Sequence, residues 1–331
     1  MLINIPIEPI PMRYSSDWDI WFKDYFTKQK INFITIYGNE LTKGIEQGRF
    51  LDCIGTNYYK STQLIKVLNL IYDQIITKND ILFFHDLWFP GIEQIKYVSD
   101  LLDLNLKITG CLHAGCYDPN DFLYQKNLGY WAVHFEHMLF QIVDKIFVAT
   151  NYHKDLILKN RSINPDKIKI TGFPIFPKSK NIHKKQPLIV FPHRKDPEKN
   201  PELFDELKCN LPNKDWSCVS TFDQAKTKDD YYNILESSCI AVSFSDQETW
   251  GIAMIEAVFA DCLPLVPDKL SYQEMYLSCF KYKTIGDFYK KLKTMIFNPE
   301  LYFKKLQTQK EIFQEKGKSA IPKILIEINN I

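Results

Sequence analysis

Two rhythms of apolar and polar residues alternate along this chain. Short runs rich in β-branched and aromatic residues are each followed by a longer stretch with apolar residues every third or fourth position. Parallel strands joined by crossover helices produce that order. The runs LINIPI (2–7), INFITIY (31–37), DILFFHD (80–86), LKITGCLH (106–113), KIFVAT (145–150) and KIKITG (167–172) are expected strands. The stretches 16–28, 58–77, 91–103, 128–143 and 151–159 are expected helices, with Asn151 and Pro165 as local start and stop signals. Six strands with these helices make one doubly wound α/β lobe.

The rhythm then pauses. FPIFPKSKNIHKKQP (173–187) is Lys-rich, interrupted by proline and without periodicity, which marks it as a linker. Beyond it, strands are expected at 188–193, 216–221, 239–245 and 262–267, and helices at 199–209, 228–237 and 251–260. These form a second doubly wound lobe. The stretch 285–330 is helical by pattern, and a terminal helix pair of this kind can cross back over the first lobe. The expected domains are therefore 1–175, 176–284 and the helices of 285–331. Two open parallel sheets facing each other would put their strand C-termini, and hence a ligand, on a shared cleft.

Length supports the division, because 331 residues exceed what one core organises efficiently. With 45% of residues apolar and 24% charged, the composition suits a soluble globular protein. A formal net charge of +1 gives no global field toward nucleic acid or membrane and leaves the partner open. No run reaches the roughly 18 apolar residues of a spanning helix. The N-terminus lacks the basic start and small-residue cleavage site of a signal peptide. The eight cysteines are scattered without a C-x-x-C pair, and read as small buried hydrophobes in a reducing cytoplasm. No G-x-G-x-x-G follows the first strand, which counts against a dinucleotide-binding oxidoreductase.

Candidate chemistry concentrates in SFSDQETWGIAMIEAVFADCLPLVP (243–267). Glu248 is expected on the loop after a strand, and Gly251 lets the backbone approach a ligand where the next helix begins. The amides of Thr249, Trp250, Gly251 and Ile252 would face an anion such as a diphosphate, aided by the helix dipole. Glu256, about a turn and a half along the helix, would meet a second set of hydroxyls. The plainer alternative makes Glu248 a helix N-terminal charge and Glu256 a solvated residue. A second constellation, FPHRKDPEKNPELF (191–204), ends another strand in basic residues. Arg194 and Lys199 are suited to phosphate oxygens there, or else are ordinary surface charges.

PHRKDPEKNPELF followed by ETWGIAMIEAVFADCLPLVPDKLSYQE resembles the C-terminal lobe of GT-B glycosyltransferases with a Glu-x7-Glu motif. It is most similar to the proteins that mannosylate queuosine in tRNA. This resemblance spans about 187–276, whereas IPIEPIPMRYSSDWDIWF resembles the start of bacteriophage glycosyltransferases. It implies a GT-B fold of two Rossmann-like domains, with Glu248 on the donor sugar hydroxyls and Glu256 on the donor ribose. Arg194 and Lys199 would hold the diphosphate beside the 249–252 amides. One departure is visible: Asp261 stands where most relatives have glycine, so that turn must change conformation or carry strain.

The first lobe offers His113, after an expected strand and beside Ala114 and Gly115, where small neighbours admit a sugar or phosphate. His85 with Asp86 is the next candidate, and His134 and His137 read as satisfied helix residues. Glu8 is placed to orient or deprotonate an acceptor hydroxyl, and Arg13 and Tyr14 to meet a phosphate and a base face. Simple turn chemistry would also explain that loop. Trp18, Trp21, Trp88 and Trp131 are stacking surfaces or core filling. The resemblance implies retaining transfer from a nucleoside diphosphate sugar. Cations and amides would stabilise the leaving group, no metal would be needed, and DPND (118–121) is only a weak imitation of a metal-binding pair. The expected acceptor is a nucleic-acid base: a hydroxymethylated pyrimidine of phage DNA ahead of a tRNA nucleoside. A nucleotide-sugar epimerase or an inactive sugar-nucleotide binder remain as alternatives.

Overall fold

Each half of the chain builds its own all-parallel sheet. The computed structural model describes residues 1–11, 13–41, 52–178 and 184–331. Met12 of the expected acceptor loop and the centre of the expected 173–187 linker lie outside the described residues. The first half runs β1 (Leu2–Ile5), α1 (Tyr14–Lys28), β2 (Phe33–Thr35), α2 (Gly55–Tyr72), β3 (Ile81–Phe84), α3 (Ile92–Leu101) and β4 (Lys107–Cys111). It continues with the single turn α4 (Phe122–Gln125), then α5 (Gly129–Ile142), β5 (Lys145–Val148), α6 (Asn151–Asn160) and β6 (Ile168–Ile170). The second half runs β7 (Gln186–Phe191), α7 (Pro201–Cys209), β8 (Ser217–Ser220), α8 (Thr221–Gln224), α9 (Lys228–Ser237), β9 (Ser238–Val242), α10 (Ile252–Phe259) and β10 (Leu263–Pro267). The turn α11 (Tyr272–Met275), β11 (Lys281–Tyr282), α12 (Ile285–Phe297) and α13 (Glu300–Asn329) complete it.

The strand orders are β2-β1-β3-β4-β5-β6 and β11-β10-β9-β7-β8. In both sheets the chain goes first to one side and then to the other of an early strand. That reversal falls between β1 and β3 in the first sheet and between β7 and β9 in the second. Loops leaving the C-terminal ends of those strands diverge there and open a crevice, where ligands bind in open α/β sheets. The six expected strands of the first half and the four of the second are present, each ending or starting a residue or more short, while β7 and β9 begin before their expected starts. β11 adds a fifth to the second sheet; at two residues it has no apolar run to announce it.

Contacts divide the chain into Met1–Ala149 with His153–Pro174 and Ala320–Ile331, and Thr150–Tyr152 with Ile175–Ser319. Pro322 lies inside α13, whose residues up to Ser319 belong to the second unit and those from Ala320 to the first. In the first unit, Trp18, Phe22 and Phe26 of α1 recur every four residues and are fully buried. Such side chains each contribute about 1.5–3 kcal/mol. Phe22 meets Phe83 of β3 at 5.2 Å between ring centres. A buried charge network stands behind the loop after β4: Glu136 pairs with Arg161 at 2.7 Å, and accepts from Trp88 Nε1 at 3.1 Å and the Cys116 amide at 2.5 Å.

In the second unit, α10 is apolar on nearly every side, with Met254, Ile255, Ala257, Val258 and Phe259 buried. It closes in a two-bond αL cap: the Cys262 amide reaches the Ala257 carbonyl at 2.9 Å and the Asp261 amide the Val258 carbonyl at 3.0 Å. Asp261 takes the left-handed conformation itself, with φ +64°, so the turn keeps a glycine geometry without glycine. Its carboxylate pairs with Lys310 of α13. The cysteine expectation needs correcting. All eight are free, but Cys53 and Cys209 are exposed and only Cys111, Cys116 and Cys262 are buried.

Candidate functional site

At the reversal of the second sheet, the loops after β7 and β9 are stitched together. The Asp246 amide donates to the Glu198 carbonyl at 2.7 Å, and Asn200 Nδ2 donates to the Phe244 carbonyl at 2.8 Å and to Asp246 Oδ2 at 2.7 Å. Asn200 reaches both from a left-handed backbone, φ +51°, which asparagine tolerates better than most residues. Lys199 Nζ adds a bond to the Gln247 carbonyl at 2.5 Å and lies 3.5 Å from Glu248 Oε2. A lysine only 6% exposed needs such partners, because an unpaired buried charge is costly.

Glu248 then reaches the start of α10. Its Oε1 accepts the Gly251 amide at 2.8 Å. Glycine suits position 251 because φ is +78°, and a Cβ there would also sit tightly at 3.1 Å from the Tyr272 ring. One expectation changes as a result. The Gly251 amide is held by Glu248, so of the 249–252 amides it is not open to an anion in this structure. Glu248 is thus a helix-start charge, the plainer of its two readings, and it also pairs with Lys199. A carboxylate fixed by two donors keeps lone pairs for further hydroxyls.

Arg194 follows β7 and pairs with Asp196 at 2.7 Å. Glu256 is not a solvated residue. Its oxygens accept the hydroxyls of Tyr231 at 2.8 Å and Tyr232 at 2.6 Å, both on α9. Lys178 lies over the Tyr232 ring at 4.8 Å, and the same group lines a shallow pocket with Phe176 and Phe259.

The first sheet brings Glu8 and Asp86 to its own reversal. With Thr56, Lys60 and Gln63 they line a pocket of about 10 Å³, room for one water. Lys60 Nζ binds Asp86 Oδ2 at 2.9 Å and the Trp88 carbonyl at 2.7 Å, and Glu8 Oε2 accepts from Thr56 at 3.3 Å. Burial raises the Glu8 pKa, with Glu40 and Asp52 adding to the rise and Thr56 and Arg13 opposing it. Half-buried His113 donates from Nε2 to the His85 carbonyl at 2.8 Å, which fixes its tautomer because a carbonyl only accepts. Tyr14 stacks obliquely on it at 5.7 Å. Burial lowers the His113 pKa, and nearby Asp86 opposes the fall.

His85 is a core residue of this unit, not a surface group. It is fully buried, packs on Phe22 at 4.5 Å, and bonds Asn4 at 2.7 Å, with its pKa pushed down to about 3 by burial. Asp118 and Asp121 serve the backbone, accepting the Asn120 and Leu123 amides at 2.9 Å each. Trp18 belongs to the core, while His134 and His137 lie on the exposed face of α5. Among the described residues, no group of three potential metal ligands is assembled. No helix among them is long and apolar enough to cross a membrane.

No protein-family model matches the chain. The structure of a glycosyltransferase from Rickettsia africae superposes with a TM-score of 0.64 at 12% identity, covering 99% of this chain and 97% of that one. The chain has the GT-B fold. A second GT-B neighbour, S. aureus TarM, gives a TM-score of 0.59 at 17% identity over 81% of this chain and 58% of TarM. By sequence, 165 residues are 27% identical to the tRNA-queuosine alpha-mannosyltransferase of Drosophila melanogaster, covering 41% of this chain. The chain's match spans 44% of that relative.

Within the GT-B chain, sequence reasoning passed over Asn200, Asp246, Lys60 and the tyrosine pair 231–232. Asn200, between Lys199 and Pro201 at a helix start, carried a cue in its residue type. The other four depend on which strands are neighbours, and nothing local in the sequence reports that.

Proposed function

We propose that the protein is a retaining glycosyltransferase that moves a sugar from a nucleoside diphosphate to a nucleic-acid base. The observation that carries this is the cross-linked pair of loops at the second reversal. There Lys199 meets Glu248 at the start of α10 and Arg194 stands on the loop after β7, an arrangement suited to a diphosphate and its sugar. The GT-B neighbours support sugar transfer, and TarM was solved with UDP.

In this reading Arg194 and Lys199 stabilise the departing diphosphate as its charge grows, in a partly desolvated setting that strengthens them. Glu248, oriented by Lys199 and the Gly251 amide, accepts from donor sugar hydroxyls. Thr249, Trp250 and Ile252 flank the leaving group, and Glu256 takes ribose hydroxyls on the lone pairs its tyrosines leave open. The bond from the anomeric carbon to the diphosphate oxygen breaks as the bond to the acceptor oxygen forms. The acceptor proton passes to the departing phosphate oxygen, with no protein nucleophile and no metal. His113, Glu8, Asp86, Arg13 and Tyr14 receive the acceptor, and the raised pKa of Glu8 suits it to share a proton with a hydroxyl. His85 acts only from the core, through the carbonyl that holds His113.

For the acceptor, the Drosophila relative favours a tRNA nucleoside. The hydroxymethylated pyrimidine of phage DNA rests on the resemblance of the N-terminal segment. Incubation with radiolabelled UDP- and GDP-sugars, with bulk tRNA or hydroxymethylcytosine DNA, tests the reading. Label in either nucleic acid supports it and chooses between them. Conversion of donor without acceptor would indicate an epimerase, and donor binding without turnover an inactive binder; either result overturns it.

A further inference from the structure

His193 stands two residues beyond β7, next to Arg194, and sequence reasoning gave it no role. It is 5% exposed, its ring packs edge-on against Phe191 at 5.1 Å, and its Nε2 has no hydrogen-bond partner. A buried ring nitrogen left unsatisfied costs free energy, and a water, ion or ligand that pairs with it recovers that cost. Its charged neighbours narrow what that is. Lys199 and Arg194 both lie close enough to disfavour the protonated ring, which burial disfavours already. A neutral imidazole beside two cations, offering an N–H, suits an anionic oxygen. The ammonium of Lys199 ties this corner to Gln247, Glu248 and so to the start of α10.

We propose that His193 donates from Nε2 to a diphosphate oxygen of the sugar donor, as a third contact beside Arg194 and Lys199. This rests on the reading of the second unit as the donor site. A neutral donor between two charged ones adds direction without adding charge. It distinguishes a bridging or terminal oxygen at one fixed position, whereas the flexible lysine does not.

Titration calorimetry with inorganic pyrophosphate, and with UDP, GDP and ADP, tests this on the full chain. The variants are His193→Ala, His193→Asn and His193→Gln, with the Tm of each measured alongside. Glutamine carries its amide out to about the position of Nε2, while asparagine reaches only that of Nδ1. We expect Ala and Asn to weaken pyrophosphate and the best nucleotide by roughly tenfold or more, the loss of one hydrogen bond to a charged group. Gln should stay within about threefold of wild type. Unchanged affinity in His193→Ala, with wild-type binding intact, overturns the inference alone. So does a loss shared equally by all three variants in step with falling Tm, which marks a packing role. Failure of the wild-type protein to bind pyrophosphate or any of the nucleotides overturns the donor-site reading and this inference together.

Discussion

The two sheet reversals have the same topology and different chemistry. In the second, a cation and an amide reach across from one loop to the other: Lys199 to Gln247 and Glu248, Asn200 to Asp246. In the first, Glu8 pairs with Thr56 and Lys60 with Asp86 around a pocket of about 10 Å³, and the nearby histidine His85 is sealed among aromatic rings. Under the proposed function the crevice of the second reversal takes the donor's diphosphate and that of the first an acceptor hydroxyl. The fold supplies two crevices, and the residues at strand ends decide what each can hold.

The comparison breaks most visibly through stability. Arg161→Leu leaves Glu136 buried without its cation behind the first unit's β4 loop, and should cost about 3–5 kcal/mol in urea unfolding. Because burial already raises the Glu136 pKa, the variant should regain part of that loss as pH falls and the carboxyl protonates. A loss under 1 kcal/mol would mean the network is incidental to the first unit.

Lys199→Ala probes the second reversal. We expect turnover to fall about 10²–10³-fold, the effect of removing one stabiliser of developing charge, with donor affinity reduced as well. Lys60→Ala, the corresponding cation of the first pocket, should raise the acceptor KM and leave donor affinity unchanged. If the two variants showed the same pattern, the division of labour would be wrong.

Acid should strike both units, because burial lowers the pKa of His193 in the second as it does for two histidines of the first. His85 and His153 are held neutral, each with a pKa near 3. Between that value and the ordinary pKa near 6.5 the unfolded chain binds protons that the native state does not, so stability falls as pH falls through this window. Each histidine should cost about 2 kcal/mol on going from pH 7 to pH 5. Denaturant titrations at the two pH values check this, and equal stability at both would contradict it. The smallest effect belongs to Asp261→Gly, which relieves a left-handed non-glycine residue but gives up the pair with Lys310. Its net change should be within about 1 kcal/mol, whereas Asp261→Ala, keeping the strain without the pair, should destabilise by about 1 kcal/mol.

Periodicity made the two-sheet architecture legible, because each buried parallel strand is a continuous apolar run and each helix shows its stripe. Strand order was not legible, since nothing in DILFFHD says that its neighbours are β1 and β4. Residue type placed Glu248, Gly251 and Lys199 at loop ends, but their bonds to one another follow from β7 and β9 being adjacent. His85 misled for a related reason. A histidine at the end of a strand looks open to ligand until Trp18 and Phe22 of α1 are laid over it. A solvated Glu256 stayed open as an alternative because the two tyrosines that hold it come from a different helix, more than twenty positions earlier in the chain.

Hydrogen exchange on the full chain, with and without a saturating sugar nucleotide chosen from a UDP and GDP panel, tests the central claim most directly. Bound donor should slow exchange in the segments 192–200 and 247–256, and Lys199→Ala should abolish that protection. Protection confined to the loops after β1 and β3, or none with any sugar nucleotide, would contradict it.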